Sequence, residues 1–439
     1  MALAAELAWT RYLTTDGRLL FTTRLVRLFA YGFLSVVLAL YLAQVGLTTA
    51  QIGTVVTVTL AGDAVITLWI TTSADRIGRK RMLLLGAGLM LLAGIVFAVT
   101  HNIVLLIVAG IIGVLSPSGN EIGPFLSIEQ AALTQIVPND QRTRTFAWYN
   151  LVGSFATATG ALIGGAMAQV LQGAGLSVLN SYRAIVIGYA LFGTALAVLF
   201  SRLSPSIEAN TSTPPATRTV LGLHRSRGVV FKLASLFSLD AFAGGFVVQS
   251  LMAYWFNVRF GVPPAVLGSI FFGANVLAGV SALSASWIAS KIGLINTMFF
   301  THLPSNILLI LVPLMPNLPL AIVVLLLRFS ISQMDVPTRQ SYTVAMVAPD
   351  ERSAAAGVTA IARSIGAAIS PSLTGLLLGA SLISVPFFLS GGLKIVYDLA
   401  LYFTFRAVKP SPPGCRAQSS AERPGRRPWA RSWTEKRQQ

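Results

Sequence analysis

Long apolar stretches recur along this chain, and they leave it few ways to fold. Runs of about 20 apolar residues, each able to cross a ~30 Å hydrocarbon core as a helix, recur from Thr23 to Val408. Short polar breaks separate them, the sharpest being Asp75-Arg76-Ile77-Gly78-Arg79-Lys80-Arg81. A cluster that basic cannot sit in hydrocarbon, so it must turn at a membrane face. In lipid every backbone N–H and C=O needs an internal partner, which leaves helices or a closed barrel. A barrel would need segments of alternating polarity, whereas these runs are continuously apolar. The chain therefore reads as an all-α membrane protein. Composition agrees: 11% of the residues are charged, against roughly a quarter in a soluble domain.

The net charge of +17 raises nucleic acid as a partner, and the distribution of the charge argues against it. Arg76, Arg79, Lys80 and Arg81 share one break, and Arg142 and Arg144 lie in the next even-numbered one. Arg202, Arg218, Arg225, Arg227 and Lys232 lie in the central connection, and many more follow Arg406. The odd-numbered breaks hold little beyond Arg183 and Arg259. Excess Lys and Arg marks cytoplasmic loops, so both termini are expected in the cytoplasm, with the tail against anionic lipid. No nucleic-acid-reading motif accompanies the charge. Cys415 is the only cysteine, which excludes a disulfide framework and a thiolate metal site. The phosphate loop of an ATP-driven pump is absent. No nucleophile, base and orienting group can be assembled, so neither an enzyme nor a cofactor is expected. The expected partners are the bilayer, a small-molecule substrate and protons, for a chain that acts as a monomer.

Twelve spans are expected. Residues 1–23 form a cytoplasmic N-terminal segment, 24–203 a first six-helix bundle, 204–230 a cytoplasmic linker, 231–408 a second bundle, and 409–439 a basic disordered tail. The two halves repeat one another. Ala74-Asp75-Arg76-Ile77-Gly78 matches Ala289-Ser290-Lys291-Ile292-Gly293, and Asp140-Gln141-Arg142 matches Asp350-Glu351-Arg352. Gly160-Ala161-Leu162-Ile163-Gly164-Gly165 matches Ser370-Pro371-Ser372-Leu373-Thr374-Gly375. Parallel repeats of this kind place a solute site at their interface near the midplane.

The Asp75 segment resembles the loop-2/3 signature of the major facilitator superfamily, G-x-x-x-D-R-x-G-R-K/R, with Thr71 at the first glycine. Together with the repeat, the resemblance covers the chain to about Lys409. It implies twelve transmembrane helices in two pseudo-symmetric six-helix bundles. Gly160 to Gly165 resembles the family's antiporter motif, G-P-x-x-G-G, with Ala161 in place of proline. The resemblance also implies a conformational gate at Asp75, Arg76, Gly78 and Arg79, with Asp75 docking in one state near the start of span 11. That helix end carries partial positive charge, and Arg352 adds to it.

Ionisable residues inside spans are expensive and need a partner or a purpose. Asp63, twelve residues before Asp75, falls near mid-membrane at ~1.5 Å per residue; with Glu121 and Glu129 it is a candidate for proton coupling. The region Ser116 to Pro124 should interrupt span 4, and Asp335-Val336-Pro337 span 10. The repeat aligns Glu129 with Arg339 on opposite sides of the cavity. Asp335 and Arg339 share a helix face. Arg27 and Asp240, in spans 1 and 7, are a candidate pair between the halves. Arg27, Asp240, Arg328, Asp335 and Arg339 are thus the cavity candidates. Lys394 and Asp398 are expected to neutralise each other, and His302 to be a hydrogen-bonded packing residue. Tyr31, Tyr149, Tyr254 and Trp255 are candidate aromatics for the solute. The expected function is proton-coupled export of a small organic compound. An alternative is an importer or facilitator for an anionic metabolite, clamped by Arg27, Arg328 and Arg339 through the bidentate guanidinium fork. A third reading is a non-transporting sensor with the basic tail as its output.

Overall fold

The computed structural model describes residues 13–120, 124–138, 141–208, 226–348 and 351–406. Glu121, Asp140, Asp350, Cys415, the tail and most of the linker lie outside these. The described residues form sixteen α-helices. In the first half they are α1 Thr15–Ser35, α2 Leu38–Gln44, α3 Thr49–Ile77, α4 Arg79–Val99, α5 Ile103–Ile112, α6 Phe125–Ile136, α7 Arg142–Gly173 and α8 Val178–Ser201. In the second they are α9 Arg227–Gly245, α10 Gln249–Phe260, α11 Pro264–Ile292, α12 Leu294–Leu311, α13 Leu318–Ser332, α14 Asp335–Met346, α15 Arg352–Gly379 and α16 Val385–Phe405. Joined end to end across their breaks, they make twelve passes. Ten are long and apolar enough to cross a membrane, and the bent α1–α2 pair makes an eleventh. The fourth pass is divided into the short arms α5 and α6. Val65, Trp69, Trp287, Phe300 and Phe403 point outward, as suits a chain whose surroundings are lipid.

Local chemistry sets many helix ends. Thr48 and Gln51 form a reciprocal capping box at the start of α3, and Asn102, Ser177 and Asn317 cap α5, α8 and α13. One glycine joins α3 to α4 and another joins α11 to α12. Gly78 has φ 114° and Gly293 φ 85°, a region that side chains with a Cβ rarely enter. The repeated Ala-x-x-Ile-Gly segment therefore encodes the same hinge twice.

Four passes are broken, and they are the first, fourth, seventh and tenth, the same positions in each half. The fourth opens at Gly113, earlier than the Ser116 expected from sequence. Breaks in the first and seventh passes were not expected at all. The first pass also starts at Thr15 rather than Arg24, because its polar residues are satisfied by the protein: Thr23 bonds Glu129 and Arg24 bonds Asn150. Broken backbone at membrane depth must find partners, and three of these breaks find one another. Gln249 Nε2 donates to Ser35 Oγ at 2.8 Å, and Ser250 N to the Pro117 carbonyl at 3.0 Å. Asn275 Nδ2 in turn donates to Gln249 Oε1 at 3.1 Å.

Glycines let the helices approach this closely. Within the halves α1 packs on α7 and α9 on α15; between them α7 packs on α11 and α3 on α15. Gly160 and Gly164 lie against the α1 backbone, while Gly165 turns to α11, where an added Cβ would sit 2.2 Å from the Pro264 carbonyl oxygen. The counterpart contact sets Gly375 against Thr49 and Gly53. The motif of span 5 thus holds packing glycines for two partners at once. Gly165→Ala is expected to lower the melting temperature of the purified protein, at a cost of about 1–3 kcal/mol for overpacking. Gly173→Ala, where a Cβ meets nothing within 4 Å, should leave it unchanged. Equal melting of the two variants would show that α7 and α11 are not pressed together.

Candidate functional site

Two buried charge clusters occupy corresponding places in the two halves. In the first, Arg27 on α1 grips Glu129 on α6 through both guanidinium nitrogens, at 2.8 and 2.7 Å, and both side chains are wholly buried. Thr23 Oγ1 donates to the same carboxylate at 2.9 Å, and the Tyr149 hydroxyl donates to its other oxygen. Arg27 also lies over the Phe125 ring, 4.7 Å from its centre.

In the second half the centre is Asp240 on α9. Its carboxylate accepts from Arg339 on α14 at 3.0 Å, Arg363 on α15 at 3.1 Å and Lys394 on α16 at 2.5 Å. Arg339 is shared with Asp335 at 3.0 Å. Behind them, His302 Nδ1 on α12 is 2.7 Å from Asp398 Oδ1, and Asn306 donates to Asp398 Oδ2 at 2.8 Å. His302 Nε2 stands 3.9 Å from Asp240, so one connected polar network runs from α16 and α12 to α15.

The clusters are twins of opposite polarity. The first pass supplies a base and the fourth an acid, whereas the seventh supplies an acid and the tenth a base. This corrects the expected Arg27–Asp240 pair. Each partner is consumed inside its own half, because a charge buried at this depth takes the nearest counterion on the packed neighbouring helix. Glu129 and Arg339 likewise do not face each other as cavity walls but are the inner partners of these two pairs. The expected Lys394–Asp398 neutralisation is corrected too: Lys394 serves Asp240, and Asp398 serves His302 and Asn306. Tyr31, Tyr149 and Trp255 are buried in packing; Trp255 lies against Phe256, Phe260 and Phe387.

Other candidates are placed differently. Asp63 sits partly buried midway along α3. Arg328 lies on α13, on the same face as the buried Ala321, Leu325 and Ser332. Asp75 is 66% exposed and receives Arg79 Nε at 2.9 Å, and Arg76 and Arg352 are exposed. The expected docking of Asp75 near the start of α15 is not formed among the described residues. Arg79 reaches inward instead, to Gln135 at 2.7 Å and the Ile207 carbonyl at 3.1 Å.

Sequence reasoning missed two residues. Glu208 caps α4, accepting from the backbone N–H of Arg79 at 2.6 Å and of Lys80 at 3.2 Å; nothing in the linker marked it. Arg363 was legible as a charge inside the eleventh span and was passed over.

Residues 20–334 match the family model described as Major Facilitator Superfamily. The chain is 31% identical over 423 residues to the uncharacterized membrane protein YJR124C of Saccharomyces cerevisiae, covering 90% of this chain and 94% of that one. A stretch of 139 residues is 28% identical to the quinolone resistance protein NorA of Staphylococcus aureus, 32% of this chain and 34% of NorA. Among solved structures, a mutant of the nucleoside transporter NupG superposes with a TM-score of 0.72 at 13% identity, over 89% of this chain and all of that one. A bacterial homolog of the human lysosomal transporter Spinster gives 0.66 at 15% identity, over 88% and 94%. At these identities the two structures show a shared fold.

Proposed function

The chain belongs to the major facilitator superfamily, and from that premise we propose that it exports a small organic solute in exchange for protons by alternating access. One observation carries the reading. Among the described residues, the polar and glycine contacts between the halves run from the ends where α3 and α11 begin to about mid-length, at Thr57–Ser372 and Ser154–Gly279. The opposite end, which holds Asp75 and Arg352, has its polar contacts inside each half: Arg79 with Glu208 and Gln135, and Ser226 with Glu351. Excess positive charge supports a cytoplasmic location for that end, and in this reading the halves part on the inward side. Rocking about the glycine contacts would close it, with Asp75 then meeting the α15 N-terminus and Arg352 as the gate.

Asp63 is the first choice for the proton. It sits at mid-depth on an unbroken helix that packs across the interface, whereas both oxygens of Glu129 are held by Arg27. The partial likeness to NorA supports the outward direction. In proteoliposomes with an internal pH dye and an imposed proton gradient, mixed compound pools are expected to produce solute-dependent proton flux. Asp63→Asn should reduce that flux to background while the protein still inserts. Undiminished flux in Asp63→Asn would move the carrier to Glu121 or Glu129. No proton movement with any pool would sink the coupling.

A further inference from the structure

The second half holds more positive charge at mid-depth than its own carboxylates neutralise. Arg328, Arg339, Arg363 and Lys394 are four cations; Asp240, Asp335 and Asp398 are three carboxylates. His302, whether neutral or protonated, does not reverse this balance. The surplus is localised. Arg339 and Lys394 are almost fully buried and held at 3.0 Å or less by Asp240, with Asp335 also on Arg339. Arg363 has Asp240 as its partner, shares it with those two, and keeps 35% of its side chain exposed.

Arg328 is the most distinctive. Among the described residues its Nε is buried with no hydrogen-bond acceptor. Its guanidinium lies over the ring of its neighbour Phe329, 4.9 Å away. It lies ten residues into α13, which at ~1.5 Å per residue is near the middle of a membrane span. Leu320, Val323 and Leu327 occupy the lipid face of the same helix, so the part of Arg328 that remains accessible opens on the interior. Arg363 shares a face of α15 with the buried Thr359, Gly366 and Ser370, and also points inward. Asp240 and Asp335 attract Arg328 from a distance, but holding a guanidinium at this depth with no carboxylate in direct contact is costly. The cost is offset when a ligand brings the missing charge.

We infer that the transported solute is a small organic anion, whose carboxylate or phosphate is received by Arg328 with Arg363 as the second cation. This rests on the transporter reading and adds the class of solute to it. Arg suits the task because its fork presents paired N–H donors to two oxygens of one group, and a free Nε is one of those donors. The neighbouring Phe329 gives the guanidinium a flat support and leaves its edge for the anion.

The test is thermal unfolding of the purified full-length protein in four ligands of nearly one shape, at equal concentration and neutral pH: benzoate, phenyl phosphate, benzyl alcohol and benzylamine. The anions are expected to raise the melting temperature, and the alcohol and amine to leave it unchanged. Benzoate against phenyl phosphate separates the carboxylate from the phosphate. Arg328→Gln should weaken anion binding roughly ten- to hundredfold, the worth of one or two charge-assisted hydrogen bonds. Arg328→Lys should restore part of it, as a point charge without the fork. Stabilisation by the alcohol or amine as large as that by the anions would overturn the inference. So would anion stabilisation that survives Arg328→Gln, or none in the unmodified protein. Proton flux driven by neutral or cationic compounds would defeat this inference and leave the transport reading standing. Anion binding without proton flux from any pool would remove the proton coupling and leave the anion site standing.

Discussion

Asp240→Asn is expected to destabilise the second half more than any other single substitution. The carboxylate is 4% exposed and is shared by three cations, all within 3.1 Å. Neutralising it leaves Arg339, Arg363 and Lys394 converging on an uncharged amide. Asp335 still holds Arg339, but among the described residues Lys394 forms no other ion pair. Breaking a buried pair by removing one partner typically costs about 3–5 kcal/mol, because the remaining charge is stranded. A large drop in melting temperature and in yield of folded protein should follow. Asp240→Asn combined with Lys394→Met should recover part of the loss, since the most deeply stranded cation leaves with its partner. The two effects should be far from additive, as expected within one network. An Asp240→Asn protein that melts like the parent would mean that water reaches the cluster freely.

Glu129→Gln is the counterpart in the first half, and a loss of similar size is expected, again about 3–5 kcal/mol. Arg27 has no exposed surface through which to recover solvation. The glutamine would keep one oxygen for Thr23 or Arg27, but its amide nitrogen would point donors at a guanidinium that offers only donors. The Tyr149 hydroxyl would lose its charged acceptor. Joint replacement of Arg27 and Glu129 by methionine should restore most of the stability, because well-packed apolar residues often replace a buried ion pair at little cost. If the double variant melts no higher than Glu129→Gln, shape rather than charge holds α1 to α6. Because the two clusters belong to different halves, combining Glu129→Gln with Asp240→Asn should give nearly additive losses.

Much of the architecture could be read directly from the chain. Apolar run length indicated the passes, and the repeated Ala-x-x-Ile-Gly segment marked two hinges that glycine alone enters easily. Pro and Gly clusters announced the breaks in the fourth and tenth passes. The breaks in the first and seventh were silent, since Ser35 to Leu38 and Gly245 to Gln249 carry no proline and stay apolar enough to pass as continuous helix. Their stability comes from Gln249 donating to Ser35 and the Ser250 N–H donating to the Pro117 carbonyl across the two halves.

The same division applies to the charges. That Arg27, Glu129, Asp240, Asp335, Arg339, Lys394 and Asp398 sit inside spans was evident from the sequence, and the aligned repeat suggested an acid in one half where the other has a base. Their pairing was not evident. Sequence spacing finds partners on one helix, as it did for Asp335 and Arg339, and it also suggested Lys394 with Asp398, which do not pair. The sequence by itself determined that this chain is a duplicated bundle of membrane-crossing helices with charge at mid-depth, because hydropathy and chain-local hydrogen bonding dictate that much. Only the tertiary structure decided which counterion each charge takes and that Arg328 takes none among the described residues. A buried charge is stabilised by whatever lies within about 3 Å of it, and that distance is set by helix packing rather than by order along the chain.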